Sequence, residues 1–273
     1  MRIAVTGVSG LVGRFLVRGL DAAGHEIGTL PGWRLGQSAA LEGWDALVHA
    51  AFAHVPGRYR GGEGDDPAGF IALNRDASLR LFDEARAAGV GQVVFLSSRA
   101  VYDGLPAGMP LPDGTPPAPA SLYGRVKAET EAGLAALAAP DFRAMSLRAT
   151  GVYGPGDGHK WRELFADYLA GRPVAPRVAT ELHGDDLAAA LRLVLDRGAT
   201  GVFNVSDMLL DRRDLLAEVA RLTGCRHELP ARADAAQVSV MSCARLLALG
   251  WRPGGWDRLR ASLPAMLDGI PAP

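Results

Sequence analysis

The chain is poor in cysteine: 273 residues hold two, Cys225 and Cys243, both late and without the spacing of a metal site. A disulfide-framed scaffold is thereby excluded, and no metal centre is expected. Neither sign of charge is in excess. Lys and Arg number 29 against 30 Asp and Glu, a net charge of −1, so the footprint of a nucleic-acid or anionic-membrane surface is missing. No apolar run approaches the length of a bilayer span. Internal repeats and low-complexity linkers are also missing. The opening MRIAVTG already reads as a strand, so no signal peptide is expected. These absences point to a cytoplasmic protein whose partner is a small molecule rather than nucleic acid or membrane.

What is present is an alternation of short buried runs and longer helical patterns. RIAVTG (2–7) precedes LVGRFLVRGLDAAG, and HEIGTL (25–30) follows. DALVHAA (45–51) precedes NRDASLRLFDEARAAGV. QVVFLSS (92–98) leads through a proline-rich loop to a helix, and AMSLRAT (144–150) comes after it. Such alternation predicts an α/β fold with a doubly wound parallel sheet covered on both faces. Ligands bind such sheets at the carboxyl ends of the strands, so the residues closing each run are the ones to inspect. Two long loops, 54–70 and 103–120, are rich in glycine or proline and are candidate lids or binding loops.

The first run ends in Gly7-Val8-Ser9-Gly10-Leu11-Val12-Gly13, a G-x-x-G-x-x-G turn opening a helix. Glycine there permits a tight turn and lets a pyrophosphate approach the backbone. The helix start adds unpaired N–H groups and a positive dipole end. Directly after a first strand, this spacing predicts a dinucleotide site at Gly7, Ser9, Gly10, Leu11, Val12, Gly13 and Arg14. The second run closes on Thr29-Leu30-Pro31-Gly32-Trp33-Arg34. The acid that usually holds the ribose hydroxyls of NAD is missing. Arg34, helped by Arg14, could face a 2′-phosphate instead, which favours NADP over NAD, although both could equally be solvated arginines. The interval from Leu30 to Asp45 is too short for a strand–helix–strand unit, so an open adenine side is expected.

Tyr123 and Lys127, in SLYGRVKAE, stand four apart on a predicted helix and therefore share a face. A cation beside a phenol favours the phenolate and brings its pKa towards neutrality, the requirement of a proton shuttle. Ser98 closes a strand 25 positions before Tyr123, and its hydroxyl and the phenol can converge on one carbonyl.

Together TGVSGLVG, LSSRAVYDG, YGRVK and LRATGVYGPG resemble the extended short-chain dehydrogenase/reductase family, the NAD-dependent epimerase/dehydratase group. Asn74 in LNRDAS, LHGDDLAAAL (182–191), GVFNVSD (201–207) and LGWRP (249–253) extend the likeness over essentially the whole chain. The resemblance implies Tyr123 as general acid or base, Lys127 on the nicotinamide ribose, and Ser98, with Ser97 as the fallback, on the reacting oxygen. It places Ala50 and Ala51 against the cofactor and makes Asn74 a helix-start structural residue or a relay. It further implies a Rossmann-type domain over residues 1–155, with 183–206 returning to it. A small C-terminal substrate lobe would come from 156–182 and 207–273. A homodimer through the helices near Asn74 and Tyr123 is also implied.

Departures narrow the chemistry. Ala149 replaces the usual proline after Arg148, and Arg99-Ala100 replace the acidic pair that dehydratases carry after the catalytic hydroxyl. Sugar-nucleotide dehydration is therefore not expected. Arg58, Arg60 and Arg99 could bind an anionic substrate group or be surface residues. His159, with Lys160 and Trp161, could line the substrate site, whereas His183 reads as structural. The expected activity is an NAD(P)-dependent interconversion of a secondary alcohol and a ketone on a sugar-like or small polar substrate. An epimerase with retained cofactor is the alternative, and a non-catalytic nucleotide sensor stands behind both.

Overall fold

The computed structural model describes residues 1–30, 32–55, 62–156 and 158–271. Its first layer is built around six strands: β1 (Arg2–Thr6), β2 (Glu26–Gly28), β3 (Ala46–His49), β4 (Gln92–Ser98), β5 (Arg143–Ala149) and a later β8 (Gly201–Val205). They lie side by side in the order β2-β1-β3-β4-β5-β8, every neighbouring pair parallel. Largely apolar runs form the inner strands because both faces of the sheet are covered there. On one face α1 (Leu11–Asp21) packs Leu16 and Leu20 with β1, β3 and β5. On the other, α2 (Pro67–Ile71), a π-helical turn (Ala72–Asp76) and α3 (Ala77–Ala87) run on from one another. Leu81 and Phe82 there join Leu134 of α4 (Leu122–Ala136). Each such buried side chain contributes about 1.5–3 kcal/mol by removal from water.

The chain steps from β1 outward to β2 and then returns to the other side of β1 as β3. That reversal opens the ligand crevice at the carboxyl ends of β1 and β3. Between Gly28 and Ala46 the described residues form no helix or strand, as the short interval predicted. The sheet therefore stops at three-residue β2. A cavity of about 790 Å³ runs along that edge, lined by Gly28, Leu30, Trp33, Gln37, Ser38 and Trp44.

A second, smaller sheet has the order β6-β7-β9, from β6 (Gly151–Tyr153), β7 (Val178–His183) and β9 (Met208–Asp211), with β7 and β9 antiparallel. It packs with α5 (Arg162–Leu169), α7 (Arg212–Thr223) and α9 (Gly255–Leu267) around Tyr153, Phe165, Leu216 and Leu263. Between β7 and β8, α6 (Gly184–Asp196) packs on the first sheet against α1.

The chain beyond Asp207, expected to serve the second lobe throughout, divides between two cores. Cys243 and Leu246, the latter on α8 (Ala244–Ala248), and Trp251 join the core of the first sheet. The Trp251 indole donates to the Asp186 carbonyl at 2.9 Å. This segment also fastens the 103–120 loop, through a bridge between Leu111 and Met241 and through Asp113, whose carboxylate accepts the N–H groups of Asn204 and Arg245. A loop read as a candidate lid or binding loop is thus a strap, its polar groups bonded to neighbouring backbone and side chains.

Candidate active site

The glycine turn and the end of β3 are in contact. Gly7 has φ +75°, and a side chain on it would begin 2.6 Å from Ala50 and Ala51 backbone atoms. Only glycine lets the two strand ends approach so closely. Gly10 caps α1 without a side-chain bond, and no acid occupies the first turn. The helix start therefore keeps its positive end for an anion. Ser9, Leu11 and Val12 lie on the same turn at or near the surface, and Gly13 is buried beneath it. Ala51 donates its N–H to Thr6 Oγ1 at 3.2 Å. These residues form a cradle of small side chains beside a helix N-terminus that fits the diphosphate and ribose of a dinucleotide.

Arg14 and Arg34 separate. The Arg14 guanidinium lies beside Gly156, in the loop leading into the second lobe. Arg34 is exposed beyond β2, its backbone N–H donating to Gln37 Oε1 at 2.8 Å.

Ser121 caps α4 by accepting the Gly124 N–H at 3.1 Å, which starts the helix one residue before Tyr123. Gly124 in turn lets the helix pack onto the Ala100 carbonyl in the turn after β4. On its buried side α4 carries Lys127, Thr130 and Glu131 beside Val126 and Leu134. Polar groups on an inward helix face need a reason. For Glu131 the reason is Arg148. The guanidinium holds the carboxylate through Nε at 3.0 Å and Nη2 at 2.6 Å, and reaches Tyr102 Oη at 2.6 Å. Tyr102 donates onward to Asn204, so α4, β5, β8 and the turn after β4 are tied into one frame. Burial opposes the Arg148 charge, but the Glu131 carboxylate outweighs it and the pKa rises.

Lys127 is 4% exposed. Its ammonium donates to the Leu96 carbonyl at 2.7 Å and lies 4.3 Å from the Phe52 ring centre, 4.6 Å from Phe95 and 6.0 Å from Tyr123. Burial pushes its pKa down to about 7 against the opposing pull of Glu131. His49 beneath it is pushed down to about 3 by burial and by the Lys127 charge. Its ring nitrogens are taken by Thr6 and Ser78, so it is a neutral brace. Tyr123 is half-buried, edge-on to Phe52 at 5.1 Å. Ser98 ends β4 with its hydroxyl accepting the Ala100 N–H at 3.2 Å. Ser97 points to the other face, with its hydroxyl buried and unpaired among the described residues.

Asn74 is not at a helix start but in the π-helical turn, 1% exposed. Its amide clamps Ala53 from both sides, accepting the N–H at 2.7 Å and donating to the carbonyl at 2.8 Å. A further bond to the Phe70 carbonyl, and Ser78 Oγ donating to the Asn74 carbonyl, take up helix acceptors and widen the turn.

Of the substrate candidates, Arg58 and Arg60 lie outside the described residues. Arg99 bonds Asp103 and the Ser239 carbonyl, which commits it to the strap. His159 does not line an open cleft. It is 4% exposed, donates from Nε2 to the Met266 carbonyl at 2.8 Å and packs on Phe165 in the second core. His183 is structural as expected, although Ser262, His183 and Asp185 superficially form a triad. His183 Nδ1 accepts the Asp185 N–H, so Nε2 carries the proton and donates to Ser262 Oγ. Ser262 spends its own proton on the Arg258 carbonyl, and among the described residues no base accepts from it.

Residues 34–206 match the NAD dependent epimerase/dehydratase family. The chain belongs to that family. It is an enzyme of the NAD(P)-dependent dehydrogenase/reductase or epimerase type. A ceramide reductase of Caulobacter vibrioides is 30% identical over 84% of this chain and 71% of its own. Among solved structures, RMD from Pseudomonas aeruginosa complexed with NADPH has 25% identity and a TM-score of 0.78, with 97% of each chain covered. UDP-glucose 4-epimerase of Thermus thermophilus complexed with NAD has 26% identity and a TM-score of 0.75, over 99% of this chain and all of that one. Members of the family thus use either dinucleotide and include both reductases and epimerases.

Proposed function

We propose that this protein is an NAD(P)-dependent oxidoreductase interconverting a secondary alcohol and a ketone on a sugar-like or small polar substrate. The observation that carries the reading is the buried Lys127 ammonium, on the same α4 face as Tyr123, beneath the end of β4. Gly7, Ser9, Gly10, Leu11, Val12 and Gly13 would hold the diphosphate, Ala50 and Ala51 the ribose and nicotinamide, and Lys127 the ribose hydroxyls. The cofactor supplies or accepts the hydride. Tyr123 gives a proton to the oxygen of the carbonyl being reduced, or takes it from the alcohol. Lys127 supports the phenolate left behind, and Ser98 steadies the same oxygen by a hydrogen bond.

Arg34 and the missing acid after β2 support NADP. Arg34→Ala is expected to cut the NADPH-over-NADH preference several-fold, the contribution of an exposed charged contact. We also propose that the π-helical turn with α3, and α4, form a homodimer face, supported by exposed Leu73 of that turn and by the Arg75–Glu129 pair joining the turn to α4. The second lobe would then shape the substrate pocket. The epimerase reading is favoured by the Thermus neighbour. Fluorescence titration of purified protein with NADPH and NADH, with a check for co-purified nucleotide, separates the two. Freely released NADPH supports the reductase, and tightly retained NAD supports the epimerase. Binding of neither overturns both.

A further inference from the structure

Resting on that reading of Tyr123 and Lys127, we propose that Phe52 is a positioning residue for Lys127. Its ring, fixed by the Asn74 clamp, closes a wall of the lysine chamber against water.

An ammonium has three protons to place. One goes to the Leu96 carbonyl at 2.7 Å, and the faces of Phe52 and Phe95, 4.3 and 4.6 Å away, receive the ammonium on other sides. The two rings differ in burial. Phe95 belongs to β4 and is 1% exposed. Phe52 is half-buried on the segment after β3. Its direction is set by its neighbours: Ala51 is bonded to Thr6, and Ala53 is bonded twice to Asn74. The ring then stands edge-on to Tyr123 at 5.1 Å and to Phe70 at 5.5 Å. One side chain thus touches both members of the catalytic pair.

Phe52 acts on the ammonium in two opposed ways. Excluding water disfavours the charge, whereas the negative ring face favours it. Other groups facing Lys127 are Tyr123 and Glu131 on α4 and His49 on β3. Arg148 of β5 holds Glu131, β4 contributes no titratable side chain, and His54 packs against Phe52. None of them is itself removed when Phe52 is replaced. Leucine keeps the apolar fill and removes the ring face, so Phe52→Leu should move the lysine titration to lower pH. Alanine admits water, so Phe52→Ala should move it to higher pH.

The test measures NADPH and NADH affinity by fluorescence from pH 6 to 9 in wild type, F52L, F52A and K127M. Proton uptake on binding is read by calorimetry in buffers of different ionisation enthalpy. With Lys127 titrating at about 7, wild-type affinity should fall about tenfold per pH unit above that point and about thirtyfold by pH 8.5. F52A should lose less than about threefold over that range, and F52L more than wild type. A common break in all three proteins, a shift of both variants in the same direction, or wild-type affinity flat to pH 9 would each overturn the role of Phe52. Thermal melts establish that the variants are folded. A K127M variant that binds and turns over like wild type would instead sink the proposed function itself. Loss of the break in K127M alone upholds that function whatever Phe52 does.

Discussion

Two lysines of this molecule sit out of full contact with water, and they are treated in opposite ways. Lys160, leading into α5, is paired with Glu181 of β7 and lies 5.0 Å over the Trp161 ring. Lys127 has a carboxylate one helical turn away, at Glu131, the spacing at which such pairs normally form. Arg148 has already claimed it with three short bonds. Among the described residues no salt bridge joins Lys127 to an acid, and its ammonium is left to a carbonyl and two rings. A paired charge is committed to holding two strands and a loop together. A charge withheld from its neighbouring acid remains available to a ligand. On this view Arg148 serves the site without touching it, by keeping Glu131 away from the lysine.

The comparison breaks most visibly on removal of each lysine. Lys127→Met is expected to lower kcat/KM by about 10²- to 10⁴-fold, the range of an acid–base contribution. It should not cost stability, because the charge it removes is buried without a carboxylate partner. The pH dependence gives a second reading. With a native pKa near 7 and an ordinary value of 10.5, the unfolded chain binds more protons between those limits. Stability contributed by this group therefore rises with pH across that window. Wild-type thermal midpoints should carry that rise, and those of the variant should lack it.

Lys160→Met should do the reverse, leaving Glu181 buried against β6 with its ion-pair partner gone. Lys160 is 28% exposed at its side chain and Glu181 5%, so the cost is set below that of a fully buried pair, at about 1–3 kcal/mol near pH 8. Glu181 is already raised above the usual carboxylate range by burial, offset by Lys160. Losing the lysine raises it further. A raised carboxyl is protonated in the native state where the unfolded one is ionised, so its penalty grows as pH rises and fades on acidification. The gap in thermal midpoint between variant and wild type should therefore narrow towards pH 5. A gap that widens there contradicts the pairing.

Which half of this contrast could be read in the sequence follows from how each part is encoded. The inner parallel strands were legible because their runs are buried on both faces, and Gly7 to Gly13 because a tight turn before a helix needs glycine at fixed places. Tyr123, Lys127 and Ser98 stood out by spacing. The second sheet did not: β7 reads VATELH, mixed in character, and is held by pairing with β6 and β9 rather than by a pattern of its own. The 103–120 loop was read only as a candidate lid or binding loop, because the partners that fasten it, at Asn204, Met241 and Arg245, lie far along the chain and leave no local pattern. Phe52 is one aromatic after two alanines, and only the geometry around Lys127 gives it meaning.

The smallest expected effect sharpens the contrast most. Asn74 touches neither lysine, yet it holds Ala53 through both backbone groups and thereby aims Phe52. Asn74→Ala frees those groups and the Phe70 carbonyl near a half-exposed segment, where water can replace part of what is lost, at about 1 kcal/mol. If the clamp serves Lys127, the loosened ring should also let water reach the ammonium. The break in cofactor affinity should then move to higher pH, in the direction of Phe52→Ala but by less. The Lys160 pair, in the other lobe, should feel nothing, so a Lys160→Met change added to Asn74→Ala should be additive in stability. A break at the wild-type pH, with only the loss of stability observed, would confine Asn74 to bracing the π-helical turn.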